Sequence, residues 1–442
     1  MYVRFWGTRG SIAKPGASTL RYGGNTSCVE VCADDGTRVV IDCGTGAHEL
    51  ARALMRDPRS AGGYLLVSHT HWDHIQGFPL FDPLFVSGQR WEIYAPGGRA
   101  QHLEASLAGQ MSYDYHPVGL EALEATYRFH DLTEGQFDVG GIRVTTQYLN
   151  HPALTLGYRL EADGAVVVYS SDHEPHAIRP AKDRPGLQPV HREDQRHVRF
   201  LQDADLVIHD AQYTLDEYAR RAGWGHTPYE AAVDYAIAAK AQRLALYHHD
   251  PLRSDPELDE VLGHARSLAA SGQHAPEVVA AAEGTTIELP RRRPAPRPTI
   301  DSRASALITA LPERAPSVLI VEADPKAARG LQEALKPEQI RLLLAADEQE
   351  ALAMARDLRP SLIFLRLGQE SKAGCGFCSS LRHDRDPHVA DIPIVVLTDL
   401  RRDSEHIAQA FQAGATDYLS EPIKSTLIRS RVRSWLLRTR TT

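Results

Sequence analysis

Cysteine is scarce in this chain, five in 442 residues, and the odd count and loose spacing exclude a secreted disulfide scaffold. Cys28, Cys32 and Cys43 fall in β-like runs and read as packing residues, while Cys375-Gly-Phe-Cys378 has no second pair to complete a zinc site. No apolar stretch reaches the length of a membrane span, and Met1-Tyr-Val-Arg-Phe-Trp-Gly7 shows no basic segment followed by an apolar run and cleavage site. A cytoplasmic protein with no membrane contact is expected. Positive charge is not in excess either. With 49 Lys and Arg against 57 Asp and Glu the net charge is −8, which argues against a broad face that coats nucleic acid. Internal repeats are missing, and with 43% hydrophobic and 24% charged residues the chain is an ordinary globular one, long enough for two or three domains. What is abundant is histidine, at 21 residues.

Residues 291–316, opening Arg-Arg-Arg-Pro-Ala-Pro-Arg-Pro, are basic and proline-rich and cannot sustain a strand or helix at their start, so they read as a linker. Residues 1–290 then form one domain and 317–438 another. β-like runs dominate the first: Tyr2–Trp6, Ser27–Val31, Arg38–Asp42, Tyr64–Ser68, Trp91–Tyr94, Ile142–Leu149, Leu156–Leu160 and Ala165–Ser170. Helical patterns there are fewer: His48–Met55, Thr227–Ala239, opening with Thr-Pro as cap and first residue, and Pro256–Ala270. After the linker, strand and helix alternate, which signals an α/β, doubly wound parallel sheet.

The run Tyr64-Leu-Leu-Val-Ser-His-Thr-His-Trp-Asp-His74 places three imidazoles and a carboxylate just beyond a buried strand. A rigid strand delivers such a loop firmly enough for its alternate residues to converge on one point. A solvated His-rich loop explains one or two histidines but not HxHxDH in this setting. Further polar residues follow apolar runs: Asp42 in Asp-Cys-Gly-Thr-Gly46, His151 in Asn-His-Pro-Ala, Asp172 in Tyr-Ser-Ser-Asp, and His248 in Ala-Leu-Tyr-His-His-Asp.

On these residues the first domain resembles the metallo-β-lactamase superfamily, which implies an αβ/βα sandwich. The resemblance implies one metal held by His69, His71 and His151 and a second by Asp73, His74 and His248, with Asp172 bridging; His249 is the alternative to His248. Imidazole and carboxylate ligands without thiolate suit two Zn²⁺ ions, with Mn²⁺ or Fe²⁺ also compatible. Two ions about 3.5–4 Å apart would share a water and lower its pKa toward ~7. Asp42 is placed to orient a ligand loop.

The segments Ala204-Asp-Leu-Val-Ile-His-Asp-Ala-Gln-Tyr213 and Gly225-His-Thr-Pro-Tyr-Glu-Ala-Ala232 are similar to paired motifs of the phosphodiesterase branch, which includes tRNase Z and phosphoribosyl cyclic phosphodiesterase. The resemblance assigns His226 as the proton donor to the leaving oxygen, Asp210 as the acid that orients it, and Asp73 as a catalytic residue as well as a ligand. Arg9 and Arg21, in a glycine-rich opening similar to that of bacterial cyclic-phosphate hydrolases, are candidates to meet a phosphate or, equally, solvated surface charges. No insertion resembles the tRNA-gripping arm of tRNase Z. A small phosphodiester, such as a cyclic nucleotide or cyclic ribose phosphate, is therefore the expected substrate, and nucleic acid is not an expected partner. The alternatives are a lactonase or thioesterase using the same metals, an RNA-processing nuclease, and a non-catalytic signalling scaffold.

The second domain carries Val318-Leu-Ile-Val-Glu-Ala-Asp-Pro325, Pro360-Ser-Leu-Ile-Phe-Leu-Arg-Leu367, Ile392-Pro-Ile-Val-Val-Leu-Thr398 and Ala413-Gly-Ala-Thr-Asp-Tyr-Leu-Ser-Glu-Pro422. These resemble a flavodoxin-like response-regulator receiver. Arg366 stands where the resemblance places the phosphoacceptor Asp, Ala323 replaces one metal-binding acid, and Glu421 replaces the Lys; Glu322 and Thr398 keep the pattern. A pseudo-receiver is expected, one that forms no aspartyl phosphate and serves as a dimer or regulatory-partner interface, with Arg366 paired to Glu322, Glu421 or both.

Overall fold

The computed structural model describes residues 1–57, 60–97, 103–176, 191–272, 274–290, 316–338, 340–366, 372–398, 409–420 and 425–438. Its contacts divide the chain into a larger N-terminal unit, Met1–Val190 with Asp194–Thr309, and a C-terminal unit, Ala310–Thr442, with which His191–Glu193 is grouped. The expected linker falls almost wholly outside the described residues, as does Glu421.

The N-terminal unit is built on two seven-stranded sheets. In the first, β1 (Tyr2–Gly7), β2 (Cys28–Cys32), β3 (Arg38–Ile41), β4 (Gly62–Leu66), β5 (Arg90–Pro96) and β6 (Thr126–Leu132) lie in sequence order. Pairing is antiparallel from β1 to β3 and parallel from β3 to β6. The second sheet repeats this plan. Strands β7 (Gly135–Val139), β8 (Ile142–Tyr148), β9 (Leu156–Ala162) and β10 (Ala165–Ser170) pair antiparallel. From β10 the pairing turns parallel through β11 (Leu206–Asp210) and β12 (Arg243–Tyr247) to β13 (Glu277–Ala280), while β14 (Thr286–Glu288) returns to the free edge of β1.

Apolar faces explain the layering. The helix Ala47–Arg56 buries Ala47, Leu50, Ala51 and Leu54, an i, i+3, i+4, i+7 stripe, against the first sheet. The helices Tyr229–Ala238 and Asp255–Ala270 cover the second sheet with Ala232, Val233, Ala236, Val261 and Ala265. Three tyrosines on the second sheet reach the first: Tyr158 Oη donates to the Val67 carbonyl at 2.6 Å, Tyr247 Oη to the Gly7 carbonyl at 2.7 Å, and Tyr169 Oη to Asp42 Oδ2 at 2.6 Å. Among the described residues no helix is long and apolar enough to cross a membrane.

Some details depart from expectation. The helix read as starting at Thr227 begins at Tyr229, with Pro228 at its boundary and the Thr227 hydroxyl given to the His173 carbonyl instead of a cap. Strand β6 escaped the sequence reading because it pairs only with β5 and is exposed or half-buried at every position before Leu132, so its composition is mixed. The helix Arg192–Leu201 escaped for the same reason, burying only Asp194, His197, Phe200 and Leu201.

The C-terminal unit is a five-stranded parallel sheet in the order β16 (Arg341–Ala345), β15 (Ser317–Val321), β17 (Leu362–Arg366), β18 (Ile394–Thr398), β19 (Asp417–Ser420). This 2-1-3-4-5 order is the flavodoxin-like doubly wound arrangement. Asp324 and Asp347 cap the following helices through the backbone N–H groups of Lys326 and Glu350. At the C-terminal strand ends, Arg366 Nε donates to Glu322 Oε2, and Glu322 Oε1 accepts the Asp324 N–H.

Candidate metal centre

In the N-terminal unit the polar residues that follow strands meet at one place. Asp42 follows β3, the loop His69–His74 follows β4, His151 follows β8, Asp172 follows β10, Asp210 ends β11, and His248 follows β12. Ligand sites at the carboxyl ends of parallel strands are a general property of α/β sheets. The backbone turns sharply to make this one: Asp42, Asp172 and His248 hold φ of 60°, 56° and 58°. Left-handed conformations at non-glycine residues cost of order 1–3 kcal/mol each and persist where the surroundings dictate them.

Two groups of donors result. His69, His71, His151 and Asp172 form one, and Asp73, His74 and His248 the other. Asp172 faces both: Oδ2 lies 3.7 Å from the Nε2 atoms of His69 and His151, while Oδ1 lies 3.2 Å from those of His74 and His248. The adjacent His249 points elsewhere, its Nε2 on the Ala281 carbonyl at 2.8 Å, so His248 is the histidine that faces the cluster.

In several of these imidazoles one ring nitrogen is anchored and the other turned inward. His74 Nδ1 meets Asp42 Oδ2 at 2.7 Å, His151 Nδ1 donates to the Gly225 carbonyl at 2.9 Å, His69 Nδ1 meets Ser68 Oγ at 3.1 Å, and His248 Nδ1 meets Gln212 Oε1 at 3.3 Å. Such anchoring fixes tautomer and ring angle in metal sites. Asp42 is itself held by the Ser68 N–H at 2.6 Å and by Tyr169 Oη. Asp73 Oδ2 accepts the backbone N–H of Ser11 at 2.7 Å, and Ser11 has φ 64°. Gly10 and Gly225 are obligatory here: a Cβ would stand 2.4 Å from His248 Nδ1 and 2.3 Å from His151 Nδ1.

The donors fit divalent cations. His69 Nε2 is buried without a hydrogen-bond partner, an arrangement that costs free energy unless a cation takes up the lone pair. Burial pushes His69 well down and His151 down to about 3, so both offer neutral nitrogen. At His74 burial also opposes the charge, but Asp73, Asp172 and Asp42 outweigh it and hold the pKa well above the ordinary value. For Asp73 and Asp172, burial favours the acid, yet the surrounding imidazoles keep both well below the usual carboxylate range. The pocket thus concentrates negative charge that calls for positive charge.

Beside this centre, His226 Nδ1 lies 2.9 Å from Asp210 Oδ2, and its ring stacks on that of His248 with centroids 5.0 Å apart. Asp210 also accepts the N–H groups of Gln212, His173 and Thr227 at 3.0, 3.3 and 3.3 Å, which fixes its direction. Burial works against an imidazolium at His226, but Asp210, then Asp172 and Asp73, reverse this and raise it to about 9.

Neither arginine of the glycine-rich opening is left to meet a phosphate: Arg9 is neither a phosphate contact nor a surface charge, and Arg21 is a surface charge. Arg9 is fully buried and ties loops together, donating to the carbonyls of Gly23, Asp250 and Arg253 at 2.8, 3.0 and 2.8 Å. Arg21 pairs with Asp259, its Nη1 donating to Oδ1 at 3.1 Å. Gln212, Ser11 and Tyr169 are the residues that sequence reasoning missed. The signal for Gln212 was its place two residues after Asp210; Ser11 acts through its backbone and leaves no such mark. A second buried histidine group, with His197 Nε2 and His209 Nε2 3.0 Å apart and His173 stacked on His197 at 4.0 Å, absorbs part of the histidine excess.

Two clusters of imidazole and carboxylate sharing one aspartate, at the strand ends of a double sheet, define a metal-dependent hydrolase. Comparison with known proteins agrees. A beta-lactamase superfamily domain model matches residues 37–249 and a response regulator receiver domain model matches 318–433. The N-terminal unit is a metallo-β-lactamase-fold domain, and the C-terminal unit is a response-regulator receiver domain. Ribonuclease Z of Natronomonas pharaonis is 29% identical over 306 residues, covering 59% of this chain and 92% of the relative. The DNA-binding response regulator MtrA of Mycolicibacterium smegmatis is 33% identical over 121 residues, 27% of this chain and 50% of the relative. Among solved structures, the metallo-β-lactamase fold protein YhfI of Bacillus subtilis aligns at 20% identity over 65% of this chain and 98% of its own, with a TM-score of 0.45.

Proposed function

We propose that the N-terminal unit is a two-metal phosphodiesterase acting on a small phosphodiester, with cyclic nucleotides and cyclic ribose phosphates as first candidates. The observation that carries this reading is the His226–Asp210 pair at 2.9 Å beside the metal centre. Two bound ions would polarise the phosphoryl group and lower the pKa of a water toward ~7. The chain's own task is the leaving group. Breaking a P–O ester expels an alkoxide, and an imidazolium held charged by Asp210, with Nδ1 committed to that carboxylate, has its Nε2–H free to deliver the proton. Asp210 acts by holding the ring and its charge. Asp73 and Asp172, anchored from the backbone of Ser11 and from the strand end, keep the imidazoles of the second group in register.

The ribonuclease Z relatives favour a second reading, cleavage of RNA by the same chemistry, and give no support to the expectation that nucleic acid is not a partner. Zn²⁺ is the first choice of metal, since nitrogen and oxygen donors without thiolate suit it. The receiver domain serves regulation or self-association without phosphorylation: the phosphoacceptor place holds Arg366, whose guanidinium is taken up by Glu322. The test is to assay protein of known metal content against cyclic nucleotides, bis-p-nitrophenyl phosphate, a short RNA, a lactone and a thioester. Turnover of the lactone or thioester faster than of every phosphodiester would overturn the phosphodiesterase reading. Cleavage of RNA in preference to cyclic substrates would select the second reading.

A further inference from the structure

The chain has five tryptophans, and three of them, Trp6, Trp91 and Trp435, are buried. The other two, Trp72 and Trp224, are 66% and 60% exposed, and both stand beside the metal centre. Trp72 sits between His71 and Asp73, and His71 is the exposed member of its donor group, so this is the open side of the centre. Trp224 precedes Gly225, whose carbonyl holds His151 Nδ1, and His226 follows. His151 Nε2 and His71 Nδ1 are only 3.2 Å apart, so each tryptophan adjoins in its own loop a residue tied to this one contact. Among the described residues, no ring or cation stacks on either indole. Two further exposed apolar side chains lie on loops tied to the centre: Ile12, next to the Ser11 that holds Asp73, and Leu252, in the loop after His248.

Isolated exposed apolar residues are normal on a protein surface. Two large planar ones, each exposed and each adjacent in the chain to a residue of, or bonded to, a charged, buried centre, suit a ligand part that is itself planar and apolar. In a nucleotide that part is the base, one sugar away from the phosphate. We infer that Trp72 and Trp224 form a base-stacking rim, and that the substrate carries a nucleobase next to its scissile phosphodiester. This rests on the phosphodiesterase reading and narrows its substrate class. Stacking on an aromatic side chain is indifferent to base identity, so the rim accepts a cyclic mononucleotide and an RNA end alike.

The experiment uses the metal-loaded full chain and the variants Trp72→Ala, Trp224→Ala, Trp72→Phe and Trp224→Phe. Metal content is checked for each, because Trp72 adjoins two ligands. KM is measured for a cyclic adenosine phosphate, a short oligoribonucleotide and a base-free cyclic ribose phosphate. Quenching of tryptophan fluorescence by an adenosine phosphorothioate reads binding without turnover. Each alanine variant is expected to raise the ratio of KM for base-bearing over base-free substrate by roughly 10- to 100-fold, with phenylalanine restoring most of it. The adenosine or the oligonucleotide arm with the larger ratio identifies the source of the base. Equal effects on base-bearing and base-free substrates, or none on either in Trp224→Ala, would overturn the inference while leaving the phosphodiesterase intact. If the wild type cleaves no phosphodiester, that earlier reading fails by itself, and absence of adenosine quenching then sinks the rim as well.

Discussion

Replacing His226 by alanine and Asp210 by asparagine separates two contributions that the geometry joins. If His226 protonates the leaving oxygen, His226→Ala lowers kcat for an unactivated phosphodiester by about 10²–10⁴-fold while metal content stays at the wild-type value. The loss shrinks with p-nitrophenolate as leaving group, because that anion departs without a proton. Asp210→Asn keeps the ring but removes the nearest of the carboxylates that hold His226 near 9. The acid is active only when protonated, so activity falls as pH rises through its pKa, and the variant's alkaline limb moves down toward the ordinary histidine value of ~6.5. At pH 8 the protonated fraction then drops from about nine tenths to about one thirtieth, a loss of roughly 30-fold that recovers on acidification. The assay is a pH–rate profile of kcat for both leaving groups with metal analysis on the same samples. Equal losses for both leaving groups, or an unmoved alkaline limb in Asp210→Asn, would refute the assignment.

Elemental analysis of the purified protein is expected to find two divalent ions per chain. His69→Ala and Asp172→Ala should lose metal and activity together, and protein with no metal before or after metal addition rules out the centre. Gly225→Ala forces a Cβ against His151 Nδ1 at a φ of 91°, so metal affinity should fall although no ligand is changed; titration with a chelating competitor decides it. Arg366→Ala leaves the buried Glu322 without its guanidinium and should destabilise the receiver unit by about 1–3 kcal/mol in denaturant titration of the full chain. Acetyl phosphate with Mg²⁺ should leave the mass of the protein unchanged, and stoichiometric phosphorylation would contradict the regulatory reading.

How much of this was legible depended on range along the chain. The HxHxDH loop is local, and a strand followed by inward imidazoles is visible in eleven residues. Asp172 and Asp210 could be found because each ends an apolar run, which the sheet turns into a shared edge. The choice between His248 and His249 could not be made so, since neighbours on a strand point to opposite faces and only the left-handed turn at His248 decides which one enters the cluster. Ser11 reaches Asp73 across 62 positions through a backbone N–H, a contact that leaves no trace in residue type. Arg9 shows the converse. An arginine in a glycine-rich opening suggested an anion, but the fold spends all the described hydrogen bonds of its guanidinium on three loop carbonyls. In the receiver, strands β15, β17 and β18 were readable because they are buried on both faces and nearly all apolar.

The order in which donors occur along the chain has a consequence for biosynthesis. His69, His71, Asp73 and His74 leave the ribosome together, in one loop of the first sheet, whereas His151, Asp172 and His248 come from successive connections of the second. The group around His69 is complete once Asp172 has emerged; the group around His74 waits for His248, after β11 and β12 have joined the sheet. In a nascent chain every donor of the His69 group is therefore present before the His74 group is complete. A chain ending between residues 172 and 248 would hold every donor of the first group and lack His248 of the second.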